Sequence, residues 1–137
     1  MTMTLNLHQF DRIMVNSSGG KDSQTVLHEV MRLADLAKYP REQIIVFHAD
    51  LGRMEWKGVR ELAQKQAEHY GLRFEVRRRR DKDGNEPDLL DYVRNRGMWP
   101  SSTTRYCTSD YKRGPGGRVL TQLGREVGED CKILNVF

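Results

Sequence analysis

The sequence predicts an α/β fold with three layers, α/β/α, and a mostly parallel central sheet. Short apolar segments alternate along the chain with longer segments of helical periodicity, which is the pattern of βαβ units. The segments Ile13–Val15 and Ile44–Phe47 are continuous apolar runs, as expected of strands covered on both faces. Such sheets bind ligands beyond the carboxyl ends of their strands. We therefore expect a site where these two strands end.

The remaining elements follow from local signals. The segment Asp22–Lys38 places apolar residues at helical spacing and stops at Tyr39-Pro40, because the residue before a proline avoids helical geometry. The segment Glu55–Tyr70 is predicted to be a helix closed by Gly71. The other predicted elements are a strand Leu72–Val76, a turn at Asp83-Gly84-Asn85, a helix Pro87–Arg96, one helical turn Thr108–Arg113, a helix Gly116–Val127 and a last strand Lys132–Phe137.

The composition bounds the class of protein. The length of 137 residues predicts one domain over 1–137. Charged residues make up 31% of the chain and hydrophobic residues 37%, a composition typical of a globular protein. No apolar run is long enough for a bilayer, and Met1–His8 lacks the pattern of a signal peptide, so we expect a cytoplasmic protein that does not contact membranes. The net charge of +4 suits phosphate-bearing ligands. The two cysteines are too few to supply an iron–sulfur cluster with four thiolates.

The junction between the first strand and the first helix has the features of an anion site. It reads Ser17-Ser18-Gly19-Gly20-Lys21-Asp22-Ser23. The glycines allow a tight turn and a close approach to a ligand, and the helix start offers N–H groups and the positive end of its dipole. Lysine adds a cation, and the serines add hydroxyl donors. The alternative interpretation is an ordinary glycine-rich turn.

The end of the second strand carries a further polar group, His48-Ala49-Asp50-Leu51-Gly52. The Asp50 carboxylate is placed to hold Mg²⁺ beside a polyphosphate or to accept a hydrogen bond from a ribose hydroxyl. Gly52 lets the chain turn away. The alternatives are that Asp50 caps the following turn and that His48 is a structural hydrogen-bonding residue.

A third cluster lies in the irregular stretch 99–115. Arg105, Lys112 and Arg113 offer cations to phosphate or sulfate oxygens, and Cys107 among them is a candidate nucleophile with a lowered thiol pKa. A solvated basic loop and an inert buried cysteine are the alternatives. Of the aromatic residues, we expect Trp56, Tyr70 and Phe74 in the core, whereas Trp99 is open to packing or to stacking on a base.

These three blocks resemble the phosphoadenosine-phosphosulfate (PAPS) reductase family of the PP-loop ATP pyrophosphatase superfamily. Ser18–Ser23 matches the PP-loop pattern S-G-G-x-D-S, and His48–Gly52 is similar to the acidic D-x-G strand end of the family. Arg105, Cys107, Thr108, Lys112 and Pro115 follow its R-x-C-T-x-x-x-K-x-x-P block. The order and spacing agree over residues 10–137.

The resemblance implies an adenine nucleotide α-hydrolase-like, Rossmann-like fold and an adenine nucleotide, ATP or PAPS, as ligand. The implied phosphate- and nucleotide-binding residues are Ser17, Ser18, Gly19, Gly20, Lys21, Asp22, Ser23, His48, Ala49, Asp50, Gly52, Arg105, Lys112 and Arg113. The candidate catalytic residues are Lys21, Asp50 as the ligand of any Mg²⁺, and Cys107, which is a candidate because of its basic surroundings and not because of the resemblance.

The chain departs from the family in its cysteines and at its end. It has no E-C-G-[IL]-H motif, which carries the nucleophilic cysteine of the reductases, and no C-x-x-C. A segment of the form G-x-R-x-x-E-S, which follows the last strand in many relatives, has no counterpart after Phe137. The expectation is a minimal version, or a site completed by a partner or by a second copy across the edge of the last strand.

Three functional hypotheses follow. The first is an enzyme of sulfur metabolism or sulfur transfer that acts at the α-phosphate of ATP or at the sulfate of an adenylyl sulfate, the latter with a thiol reductant as partner. The second is a nucleotide-binding or regulatory module without catalysis. The third is a PP-loop sulfurtransferase that modifies nucleic acid, in which the run Arg77–Arg80 would track phosphates. A solvated loop is the alternative for that run.

Overall fold

The four strands form one sheet in which every pair of neighbours is parallel. The computed structural model describes residues 5–105, 109–128 and 130–137. The strands are β1 (Arg12–Asn16), β2 (Ile44–Ala49), β3 (Arg73–Arg77) and β4 (Ile133–Val136), in the spatial order β3-β2-β1-β4. The order reverses at β1, which has β2 on one side and β4 on the other. The prediction of an α/β fold with a parallel sheet is confirmed.

The helices cover both faces of this sheet. They are α1 (Lys21–Leu36), α2 (Val59–His69), α3 (Leu89–Arg96) and α4 (Gly114–Val127). One face of β1 and β2 packs on α1 and α2, in a cluster that includes Ile13, Leu27 and Ala67. The opposite face, with Met14 and Phe47, packs on Val119 and Leu123 of α4. Because successive side chains of a strand point to opposite faces, the continuous apolar runs of β1 and β2 supply both layers.

A smaller cluster stabilises the segment that precedes α4. Tyr111, Leu89 and Val93 are its buried members, and Leu51 and Tyr92 pack against it. Tyr111 belongs to a π-helical turn over Ser109–Arg113 that leads directly into α4. The predicted turn Thr108–Arg113 is thus found from Ser109 onward, and Thr108 lies outside the described residues.

The largest difference from the predicted elements concerns the second helix. It begins at Val59 rather than at Glu55, and a 3₁₀ turn over Gly52–Met54 precedes it. Gly58 has a φ of +88°, a left-handed conformation that a helix cannot include, so residues 55–58 form a loop. The prediction that Trp56 lies in the core is therefore wrong, since 87% of its surface is exposed. Tyr70 and Phe74 are partly buried against the first cluster.

Other boundary predictions agree closely. Gly71 follows α2 with a φ of +68°, as expected of a glycine after a helix end. Gly84 has a φ of +84° and donates its N–H to the Asp81 carbonyl, which confirms the predicted turn. Asp88 caps α3 by accepting a hydrogen bond from the Asp91 N–H at 2.9 Å.

The last strand lies at an edge of the described sheet. β4 pairs with β1, and Phe137 directly after it is 77% exposed. A homodimer across this edge stays a prediction, which light scattering at micromolar concentration tests. Within the described ranges, every helix is too short or too polar to cross a bilayer.

Two leucines of α1 provide a matched test of the packing. Leu27 is 1% exposed between α1 and the sheet, and Leu36 on the same helix is 72% exposed. We expect Leu27→Ala to lower the free energy of unfolding by about 2–5 kcal/mol, because it removes buried methyl groups and leaves a cavity. Leu36→Ala should change it by less than about 0.5 kcal/mol. Equal losses in urea titrations of the two variants would contradict this packing.

Candidate functional site

The loop between β1 and α1 depends on glycine at one position. Gly19 has a φ of +77°, which L side chains rarely adopt. A Cβ atom on Gly19 would lie 2.8 Å from the carbonyl oxygen of Val59 and 3.1 Å from its Cγ1. The loop thus packs against the first residue of α2, and both conformation and packing require glycine there.

Serine hydroxyls hold the rest of this loop. The Oγ of Ser17 accepts a hydrogen bond from the Gly19 N–H at 3.2 Å. The Oγ of Ser23 accepts one from the Ser18 N–H at 3.2 Å and lies 3.0 Å from the Ser18 hydroxyl. These bonds close the loop onto the first turn of α1. The predicted serines therefore have a structural role in the loop in addition to any contact with a ligand.

The first turn of α1 has N–H groups without a side-chain cap. Gly20 is the N-cap residue and has no side chain to accept from them. Its φ is −85°, and an added Cβ would meet only the Ser18 Oγ, at 3.4 Å, so neither the backbone nor packing requires glycine. A glycine at this point leaves the uncapped N–H groups accessible, as an anion site needs.

His48 connects the ends of β1 and β2. It is 2% exposed, and its Nδ1–H donates to the Ser17 carbonyl oxygen at 2.8 Å. The Nε2 atom lies 2.9 Å from a carboxylate oxygen of Glu55, an ion-pair contact whose angle falls short of a well-aligned hydrogen bond. The same Glu55 oxygen accepts from the Leu51 N–H at 3.2 Å. His48 therefore joins the loop after β1 to the loop after β2. This agrees with the alternative that His48 is a structural hydrogen-bonding residue.

The surroundings of His48 favour its charged form. Burial acts to lower the pKa of the imidazole, but the Glu55 carboxylate, the Ser17 carbonyl and the charge of Asp50 outweigh it, so the pKa is raised. Both ring nitrogens face acceptors, which is the arrangement that an imidazolium satisfies. The charge of this buried histidine thus contributes to holding the two loops together.

Asp50 makes contacts that differ from those expected of a metal ligand. Its Oδ1 accepts from the Gly52 N–H at 2.8 Å, and its Oδ2 accepts from the Arg78 guanidinium at 3.0 Å. Arg60 lies 3.7 Å from the same Oδ2. Two guanidinium groups neutralise this carboxylate, so it does not fit as a ligand for Mg²⁺, which needs accessible oxygens. Among the described residues, no group of three or more His, Cys, Asp or Glu is placed to hold a metal ion.

Gly52 has a packing role. Its φ is +69°, and a Cβ atom there would overlap the side chain of Asp88. Asp88 accepts from the Arg53 side chain at 2.6 Å, and this hydrogen bond lowers the pKa of the Asp88 carboxyl despite its burial. The turn after β2 is thus fixed by Asp50 on one side and by Asp88 on the other.

A cavity of about 620 Å³ opens at the carboxyl ends of β1 and β2. It lies where the strand order reverses, the location that the fold predicts for a ligand. Of the residues predicted from the sequence, those that line it are Ser17, Ser18, Asp22, Ser23, His48, Ala49, Lys112 and Arg113. Those outside its lining are Gly19, Gly20, Lys21, Asp50, Gly52 and Arg105, and Cys107 lies outside the described residues.

The two basic residues of the lining are positioned by a buried tyrosine. Tyr111 is fully buried, and its hydroxyl donates to the carbonyl oxygens of Pro87 and Asp88 at 3.1 and 3.0 Å. Burial raises the pKa of this phenol to about 12. Because Lys112 and Arg113 directly follow this anchor, they reach the cavity as exposed cations. Arg105 is exposed and does not line the cavity.

Sequence reasoning missed an aromatic residue of the site. Trp56 lines the cavity, together with Met54 and Glu55 of the segment after β2, Val59 at the start of α2 and Phe137 after β4. The available signal was the pair Gly52 and Gly58, which frames a short loop with a tryptophan inside it. The apolar periodicity alone placed Trp56 on the buried face of a helix. Its position between two glycines that favour turns indicates a loop instead.

The run Arg77–Arg80 makes contacts within the protein. Arg77 donates to Glu75 and Gln122, and Arg78 donates to Asp50. The Arg79 guanidinium lies 4.5 Å from the centre of the Tyr92 ring, and Arg80 pairs with Glu86 at 3.4 Å. These intramolecular partners reduce the charge that the run offers to a nucleic acid.

Adjacent glycines give a matched test of the loop. Gly19→Ser should lower the free energy of unfolding by roughly 1–3 kcal/mol or more, because it forces a side chain into a left-handed conformation against Val59. Gly20→Ser should leave it unchanged or raise it by a few tenths of a kcal/mol, because serine is a favourable N-cap residue. Urea unfolding measures both. Equal effects at the two positions would contradict the loop geometry.

The raised pKa of His48 predicts a dependence of stability on pH. The contribution of the charged histidine is fully present below the unfolded pKa of about 6.5 and is lost as pH rises through the folded pKa. Glu55→Gln keeps an acceptor for the Leu51 N–H but removes the carboxylate charge. The fall in unfolding free energy above pH 6.5 should therefore be shallower in this variant. Parallel curves for the two proteins would show that Glu55 does not stabilise the charged imidazole.

Comparison of the chain with protein-family models, with curated proteins and with solved structures gave no match.

Proposed function

We propose that this protein binds an adenine nucleotide in the cavity at the ends of β1 and β2 and acts as a PAPS reductase-like enzyme of the PP-loop superfamily. In this proposal the fold is of the adenine nucleotide α-hydrolase-like type. The reaction takes place at the α-phosphate of ATP or at the sulfate of an adenylyl sulfate. The observation that carries the proposal is one cavity with an uncapped helix N-terminus on one side and two cations, Lys112 and Arg113, also in its lining.

The first turn of α1 supplies the phosphate-binding groups. Asp22 and Ser23 line the cavity, and the N–H groups of this turn have no side-chain cap. Fixed N–H donors at a helix start stabilise an anion, and they stabilise developing negative charge without reorganisation. Lys21 is the first residue of α1, and its flexible ammonium adds a mobile positive charge beside these donors.

The second basic pair suits a ligand with more than one anionic group. Lys112 and Arg113 come from the π-helical turn that leads into α4, the helix on the opposite face of the sheet from α1. A nucleotide bound at α1 by one phosphate would present a distal phosphate or a sulfate to this pair. Arginine provides a planar fork for such oxygens. A sulfate-reducing reaction also needs an external thiol, which this proposal assigns to a partner.

Asp50 has a positioning role in this proposal. Its contacts with Arg78, Arg60 and the Gly52 N–H fix the turn after β2. No step is assigned to Mg²⁺ through this carboxylate. The cysteine chemistry proposed from the sequence rests on Cys107, which lies outside the described residues, and no step is derived from it.

A nucleotide-binding module without turnover is the second candidate function. It is favoured by the ion pairing of Asp50, which was the predicted catalytic carboxylate. The two candidates differ in turnover. Release of pyrophosphate from ATP, or of sulfite from PAPS with a thiol reductant, supports the enzyme, and nucleotide binding without either product supports the module.

Two variants of the loop test the proposed site. We expect Lys21→Ala and Gly20→Val to weaken the affinity for ATP or PAPS by about tenfold or more, because the first removes a charge and the second covers the uncapped N–H groups. Lys65→Ala is the control, since it removes an exposed lysine from α2 rather than from the first turn of α1. Titration calorimetry on folded variants measures the affinities. Unchanged affinity in both loop variants would overturn the proposed site.

A further inference from the structure

We propose that Trp56 is the nucleobase platform of this cavity and that its indole ring stacks on the base of the bound nucleotide. The inference rests on the proposed nucleotide binding and adds the residue that recognises the base. It is carried by the exposure of Trp56, by the contacts that fix its backbone, and by its position relative to the phosphate-binding loop.

The exposure of Trp56 is unusual for its chemistry. The side chain is 87% exposed and lines the cavity. A tryptophan ring buries a large apolar area when it is covered, and its face suits stacking on another flat ring. Stacking on aromatic side chains is a general way of holding bases, because every base has a π-face. The cavity thus contains an aromatic surface that the protein itself leaves uncovered.

The backbone that carries this ring is held on both sides. The Glu55 N–H donates to the Gly52 carbonyl at 3.1 Å, and the Val59 N–H donates to the Trp56 carbonyl at 3.2 Å. The Glu55 side chain is tied to His48 and to the Leu51 N–H. An exposed ring on a fixed backbone is preorganised for stacking, because little backbone entropy is lost when a ligand binds.

A short series of contacts relates Trp56 to the phosphate-binding loop. Val59, one turn after Trp56, packs directly against Gly19. The two ends of such a turn lie within about 7 Å of each other in Cα positions. The aromatic surface therefore lies close to the loop that precedes α1, and Asp22 and Ser23 of the first turn of α1 line the same cavity as Trp56. With the anionic end of a ligand at the cations and the N–H donors, the flat base is left for the indole.

Apolar side chains in the lining of the cavity are suited to a base rather than to a second anion. Met54, Val26 and Val59 also line the cavity and present apolar surface. A thioether contacts aromatic rings favourably, so Met54 adds to such a pocket. We assign this part of the cavity to an aromatic nucleobase, and the alternative occupant, an apolar segment of another protein, is decided by the test.

The two tryptophans of the chain make the test direct. Trp99 is 61% exposed but does not line the cavity, so it is the matched control. ATP, PAPS and inorganic pyrophosphate are titrated into wild type, Trp56→Ala, Trp56→Phe and Trp99→Ala. We expect Trp56→Ala to weaken nucleotide binding by roughly 5- to 150-fold, the range of one lost stacking contact. Pyrophosphate, which has no base, should bind all four proteins about equally, and Trp56→Phe should keep most of the nucleotide affinity.

Fluorescence provides a second readout. In Trp99→Phe the emission comes from Trp56 alone and should be quenched by saturating nucleotide but not by pyrophosphate. In Trp56→Phe the remaining emission should be insensitive to both ligands.

Nucleotide affinity in Trp56→Ala equal to that of wild type would overturn the inference while leaving the proposed function intact. An equal loss of pyrophosphate binding would also overturn it, because the defect would then be structural. If the wild-type protein binds none of these ligands, both proposals are overturned.

Discussion

The geometry of the candidate site depends on the parallel pairing of β1 with β2. This pairing places Asn16 opposite Phe47, and the N–H of Ser17, the residue after β1, donates to the Phe47 carbonyl at 2.8 Å. The next residue of β2, His48, turns its ring to the Ser17 carbonyl and to Glu55. One buried imidazole thereby connects the loop that precedes α1 with the loop that precedes α2. The rest of the cavity is built around these two loops.

Such a buried polar connection fixes a single arrangement. A buried polar group left without a partner is costly, so the two loops cannot separate without exposing or orphaning His48. Gly19 contributes from the other side, because it allows the first loop to lie directly against Val59. Packing and electrostatics therefore act on the same two segments. Ser17, His48 and Glu55 in the lining of the cavity are therefore held in place by contacts within the protein.

The sequence was sufficient to predict the layers of the fold and the sheet edge at which a cavity opens, because both follow from local patterns. Continuous apolar runs predicted the parallel strands, and the polar residues after them predicted a site at the carboxyl ends of β1 and β2, where the cavity lies. The cap of the turn after β2 by Asp50 was one of the alternatives that the sequence offered, and the Gly52 N–H bond confirms it. The pairing of Asp50 with Arg78 could not be predicted in this way, because Arg78 comes from beyond β3 and meets Asp50 only through the β2–β3 register. Trp56 was misinterpreted for a related reason. Its role depends on which segment packs nearby, and that is a property of the tertiary fold.

The most direct measurement of the central claim is a titration of the ¹⁵N-labelled protein with ATP and with PAPS, followed by NMR of the backbone amides. The account predicts that the amides of residues 21–23 shift the most and saturate with the ligand, because they form the uncapped turn that is proposed to bind the phosphates. Large shifts confined to other parts of the chain, or no shift with either nucleotide, would contradict the account.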